Sequence, residues 1–154
     1  VDHGGPSRVR RGLSGAAARV RDRPGVVSMP GGGPSMADVA GVQRGTVVLV
    51  GGEVMGRGDD GLGAKVLANF LRTLAAVEAR PEAVVFYNAA VKLLGPGSAS
   101  LEALRQLDDA GVDLLACVTC LEFFHLADRL AVGQVSNMRE IVQRVMAATK
   151  VVTV

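Results

Sequence analysis

Short unbroken apolar runs alternate along this chain with longer stretches in which apolar positions recur every three or four residues. "TVVLVG" (46–51) is mostly β-branched and bounded by glycines, the pattern of a strand buried on both faces. "AVVFY" (83–87), "VDLLACV" (112–118), "AVGQV" (131–135) and "KVVTV" (150–154) read as four more strands. Between them, Leu62, Val66, Phe70, Leu71 and Leu74 predict a helix beginning near Asp59 or Asp60, and Leu101, Leu104 and Leu107 predict another that stops at Gly111. A shorter helix is expected over 121–130. Asn137, with Glu140 three residues on, offers a capping box ahead of Met138, Ile141, Val142, Val145 and Met146. Strands that are uniformly apolar and separated by helices predict an α/β fold, three layers α/β/α with a mainly parallel sheet of about five strands.

Composition limits this picture. At 49% hydrophobic content, 154 residues can bury one core and form one domain. No apolar run approaches the roughly 20 residues of a membrane span. Five aromatic side chains and no Trp argue against a stacking platform for nucleic acid. The net charge of +2 is unevenly placed: residues 1–44 carry seven Arg and three Asp, giving +4, and residues 45–154 carry −2. The same 44 residues hold 9 of the 20 Gly and 4 of the 6 Pro, a composition that resists burial. Residues 1–44 are therefore expected to be a flexible leader and 45–154 the folded domain. Within the leader, "RRGLSGAAARVRDR" has the charge of a targeting helix but lacks an apolar segment beside it.

In parallel α/β sheets ligands collect where strand-to-helix loops converge, at the carboxyl ends of the strands. The unusual residues of this chain fall in those loops: "GGEVMGRGDDGLG", "NAAVKLLGPGS" and "CVTC". "GRGDDG" has the spacing of a dinucleotide loop, yet Asp59 and Asp60 put two carboxylates where a pyrophosphate would sit, and no acidic residue ends the second strand. The Asp pair fits a helix cap better.

Cys117 and Cys120 are the only two cysteines, too few for a disulfide scaffold, which points to a reducing, cytoplasmic setting. Two sulfurs with His125 nearby do not complete a four-ligand zinc site. A thiol at a helix start is pushed toward thiolate, so this junction suits a reactive sulfur, with Thr119 as the expected helix N-cap. Lys92 is expected at the same sheet edge, where a cation would favour a sulfur anion. A dithiol redox pair and two small buried hydrophobes remain alternatives for the cysteines, as does a solvated surface position for Lys92.

"VLVGGEVMGRGDDGLGAKVLANFL", "VVFYNAAVKLLGPGSASLEALRQLDDAGVDLLACVTCLEFF" and "RLAVGQVSNMREIV" resemble the DsrE/DsrF-like superfamily, and within it the carboxy-terminal domain of the YedF type, the sulfurtransferase-like selenium metabolism proteins. The likeness runs from about residue 46 to 154. It implies a homo-oligomeric sulfur or selenium carrier in which Cys117 accepts sulfur as a persulfide and Cys120 is a resolving or second carrier thiol. Arg57, Asp59, Asp60, Asn88, Lys92 and Thr119 would line the pocket. No cofactor, no metal and no nucleic-acid or membrane partner is expected. Its partners would be donor and acceptor proteins of TusA-like or cysteine desulfurase type. Full-length YedF proteins carry an amino-terminal TusA-like domain with its own cysteine, whereas residues 1–44 contain none, so the expectation is a donor acting in trans, a truncated copy or a lapsed activity. A dithiol oxidoreductase and a non-catalytic oligomeric binding module are the alternative functions.

Overall fold

The computed structural model describes residues 42–154, so the expected leader lies outside the described residues apart from its last three positions. In chain order the elements are β1 (Val42–Val50), α1 (Asp60–Ala76), β2 (Arg80–Phe86), a 3-10 helix (Asn88–Leu94), α2 (Leu101–Asp109), β3 (Asp113–Cys117), α3 (Val118–Phe123), β4 (Gln134–Ser136), α4 (Met138–Ala147) and β5 (Lys150–Thr153). β1 begins four residues before the expected strand and pairs from Val42 with Arg80, which carries the fold ahead of the expected boundary at 45. The strands form one sheet in the order β4-β3-β2-β1-β5, every neighbour parallel. Parallel neighbours require crossovers of a dozen or more residues, and most of the intervening segments carry helix.

Successive side chains of a strand point to opposite faces, and both faces here are apolar. Val48, Val50, Val84, Phe86, Leu114 and Ala116 share one core with Leu67 and Leu71 of α1, Leu94 of the 3-10 helix, and Leu104 and Leu107 of α2. Val47, Ala83, Val85, Leu115 and Cys117 make a second, smaller core capped by Ile141 of α4. The expected α/β architecture is thus the observed one.

Two details differ from the periodicity. On α1 the buried row is Gly63, Leu67, Leu71 and Ala75, whereas Leu62 and Val66, expected to face the core, are 61% and 39% exposed. The physical reason is Gly63. With no side chain there, the β1–α1 loop lies directly on the helix: Met55 N–H donates to the Gly63 carbonyl at 3.0 Å, and a Cβ at 63 would stand 2.9 Å from the Val54 Cβ. On α4 only Ile141 of the expected apolar positions is buried, and Met138, Val142 and Met146 are exposed. The cap of α4 is as expected, with the Glu140 N–H donating to Asn137 Oδ1 at 3.0 Å. Arg144 anchors this helix from its other end, reaching Glu82 of β2 at 3.2 Å and Asp113 of β3 at 2.7 Å. Among the described residues no helix is long and apolar enough to cross a membrane.

Candidate functional site

The carboxyl ends of β1, β2 and β3 release three segments onto one edge of the sheet: loop 51–59, the 3-10 helix and α3. Cys117 is the last residue of β3 and also the N-cap of α3, with φ −61° and ψ 117°. Its side chain is 1% exposed and belongs to the smaller core. Cys120 sits in the first turn of α3, half-buried, packed against both cores and beside Cys117. The strand-to-helix change after Cys117 turns one sulfur inward and leaves the next, three residues on, half-buried.

The 3-10 helix approaches this sulfur through its backbone. Asn88 has φ +51°, the left-handed region that Asn tolerates better than most side chains. In that conformation its N–H donates to Cys120 Sγ at 3.0 Å. Burial raises the Cys120 pKa above the ordinary thiol value, the neighbouring Cys117 raises it further, and the Asn88 amide opposes both. The expected thiolate bias is therefore corrected. α3 has only six residues, and removal of water from the sulfur outweighs what a single amide returns.

Other expectations at this edge change as well. Thr119 is not the N-cap of α3: it is exposed inside the helix, and the cap position is Cys117, which makes no side-chain cap bond. The helix spans 118–123 and not 121–130. His125 takes φ +55°, His125 N–H donates to the Glu122 carbonyl at 3.1 Å and Leu126 N–H to the Leu121 carbonyl at 2.8 Å, a Schellman stop built without glycine. His125 itself is exposed.

Lys92 does reach this edge, though not as an unpaired cation. Its Nζ lies 2.9 Å from Glu53 Oε2 and 4.6 Å from the centre of the Phe124 ring. It ties the loop after β1 to the end of α3. Glu53 and Phe124 are partners that the sequence did not single out; a carboxylate one loop away from a lysine gives no signal until the fold joins them. Beside the Glu53–Lys92 pair a cavity of about 240 Å³ opens over Ala64, Leu67 and Ala68 of α1, closed on the other side by Ser98, Ala99 and Ser100.

Asp59 is the N-cap of α1 and accepts from the Leu62 N–H at 2.8 Å, with Asp60 in the first helical turn. Arg57 is exposed in the same loop. Among the described residues no hydrogen bond or ion pair joins Arg57, Asp59 or Asp60 to either cysteine. The structure thus brings together Cys117, Cys120, Asn88 and, through Phe124, Lys92. Among the described residues no group of three His, Cys, Asp or Glu side chains could hold a metal ion.

Comparison with known proteins agrees with this geometry at the level of fold. The crystal structure of the YchN protein from E. coli superposes with a TM-score of 0.56 at 17% identity, covering 73% of this chain and all of that one. Comparison with curated proteins gives no significant match. The model of the DsrE/DsrF-like family matches residues 55–154, which include α1, the 3-10 helix, both cysteines and α4. With nearly the whole described fold matched, the chain belongs to the DsrE/DsrF-like family, whose members take part in sulfur relay.

Proposed function

We propose that this protein is a sulfurtransferase-like carrier that holds sulfur, or selenium, as a persulfide on its C-x-x-C pair and passes it to a partner. The observation that supports this most is the pairing of a half-exposed sulfur, Cys120, with a backbone N–H aimed at it from Asn88 at 3.0 Å. An amide so placed stabilises a sulfur anion without a metal or cofactor. Transfer is a displacement. The Cys120 thiolate attacks the outer sulfur of a donor persulfide, that S–S bond breaks, and the donor leaves as its thiolate. Exposure favours Cys120 as the first acceptor and the buried Cys117 as the second thiol, although Cys117 is the position that best matches the family's acceptor cysteine.

Donor and acceptor are proposed to be proteins acting in trans, of TusA-like or cysteine desulfurase type, in a reducing compartment such as the cytoplasm. Self-association is proposed on the same footing. Lys92, with its charge already engaged by Glu53, contributes by fixing α3 in place.

Intact-mass analysis tests the carrier function. Treatment with glutathione persulfide, followed at once by an alkylating trap, adds a sulfur of about 32 Da to the peptide bearing residues 114–124. That adduct persists in Cys117→Ala and disappears in Cys120→Ala. Absence of the adduct from every variant overturns the proposed function.

A further inference from the structure

Resting on that carrier function, we infer that the buried Cys117 discharges a Cys120 persulfide as hydrogen sulfide, so that the protein releases sulfide when no acceptor takes the sulfur. Three observations lead there. Cys117 and Cys120 pack in the same core at the N-cap and third positions of one helix turn, close enough for Cys117 to raise the Cys120 pKa. A C-x-x-C pair at a helix start is the spacing with which dithiol redox motifs close a disulfide. Cys117 is 1% exposed, so no partner protein reaches it without unfolding, and Cys120 is the sulfur it can act on. A thiol that can serve no external substrate but touches the acceptor sulfur has an intramolecular reaction open to it.

The step balances without further reagents. After loading, the inner sulfur of the persulfide is Cys120 Sγ itself, already beside Cys117. The Cys117 thiol loses its proton and attacks Cys120 Sγ; the bond between inner and outer sulfur breaks, and the outer sulfur leaves as hydrosulfide with that proton available to it. Two thiols are oxidised to one disulfide, and the transferred sulfur is reduced to sulfide. A dithiol reductant then reopens the Cys117–Cys120 bond by ordinary thiol–disulfide exchange. The Asn88 N–H contributes by position, holding the attacked sulfur at the strand end beside Cys117.

The experiment treats the full chain with one equivalent of glutathione persulfide, without reductant, and follows free sulfide and intact mass together. Wild type is expected to release close to one equivalent of sulfide and to lose about 2 Da as the disulfide forms, while Cys117→Ala keeps the added sulfur of about 32 Da and releases none. Cys117→Ser, nearly isosteric at this buried position, repeats the measurement should the alanine variant fold poorly. A wild-type protein that holds the added sulfur as long as both variants overturns the discharge and leaves the carrier function standing. Failure of all three proteins to take up sulfur sinks the carrier function, and the discharge with it.

Discussion

The two faces of the sheet are built to different depths. One is covered by α1, the 3-10 helix and α2, which bury Leu67, Leu71, Leu94, Leu104 and Leu107 against Val84, Phe86 and Leu114. Among the described residues the other has α4 alone, and that helix buries only Ile141 while Met138, Val142 and Met146 stay exposed. Cys117 belongs to the thin face, and Cys120 touches both cores at the seam between them. The deep face supplies the hydrophobic stabilisation of the domain, since that term scales with the apolar area removed from water. The thin face leaves a sulfur site near its rim, on a short helix that Leu121 anchors in the main core.

Truncations on the two faces test that division most strongly. Phe86→Ala, on the deep face with no exposed surface, is expected to cost about 3–5 kcal/mol by urea unfolding. Ile141→Ala, on the thin face, is expected near the lower end of the range for such truncations, about 2 kcal/mol, because α4 can settle into the space. Met146→Ala, 79% exposed, should stay within about 0.5 kcal/mol. Equal losses at Phe86 and Ile141 would remove the distinction between the faces.

A middle-sized effect is expected at Asn88, where the deep face hands its backbone amide to the seam. Asn88→Gly keeps the left-handed backbone and the N–H, so stability and Cys120 reactivity should change little. Asn88→Val places a β-branched residue at φ +51° and should cost about 1–3 kcal/mol, with loss of the amide contact raising the Cys120 pKa further. In wild type that pKa is already raised, first by burial and then by Cys117. The fold therefore favours the neutral thiol. As pH rises past the ordinary thiol value of about 8.5, the unfolded chain ionises first, and this contribution to stability falls until the folded thiol ionises too. Alkylation of Cys120 followed against pH should have its midpoint above that of a free thiol, lowered toward it in Cys117→Ala. A midpoint below the free-thiol value would mean that the amide outweighs burial.

The fold was largely legible in the sequence because a parallel sheet buried on both faces writes continuous apolar runs, and because Asp59 and Asn137 announce their helices with side chains that cap them. What was illegible depends on contacts that leave no periodic trace. Gly63 contributes nothing to an apolar stripe, yet its missing side chain lets the β1–α1 loop down onto α1 and rotates the buried row toward Leu67 and Leu71. His125 in place of glycine leaves the stop of α3 without its usual residue signal, and Cys117, an N-cap with no side-chain cap bond, leaves the start without one. At the site, the C-x-x-C spacing was plain, but which sulfur faces solvent follows from where β3 ends. The Asn88 contact comes from a backbone N–H and carries no residue signature at all.

The smallest effect should come from the Glu53–Lys92 pair, which lies on the exposed rim of the deep face. Both side chains are more than 40% exposed, at 41% for Lys92 and 46% for Glu53, so their ion pair is worth at most about 1 kcal/mol. Glu53→Gln should accordingly leave the unfolding midpoint almost unchanged. Lys92→Met removes the cation above Phe124 as well, a contact worth about 0.5–1 kcal/mol at an exposed position, while its apolar stem still covers the ring. The two variants therefore separate charge pairing from the hold on α3. If Lys92 acts by fixing α3, Lys92→Met should speed amide hydrogen exchange over residues 118–124 more than Glu53→Gln does. Equal exchange in both variants would return Lys92 to the role of an ordinary surface cation.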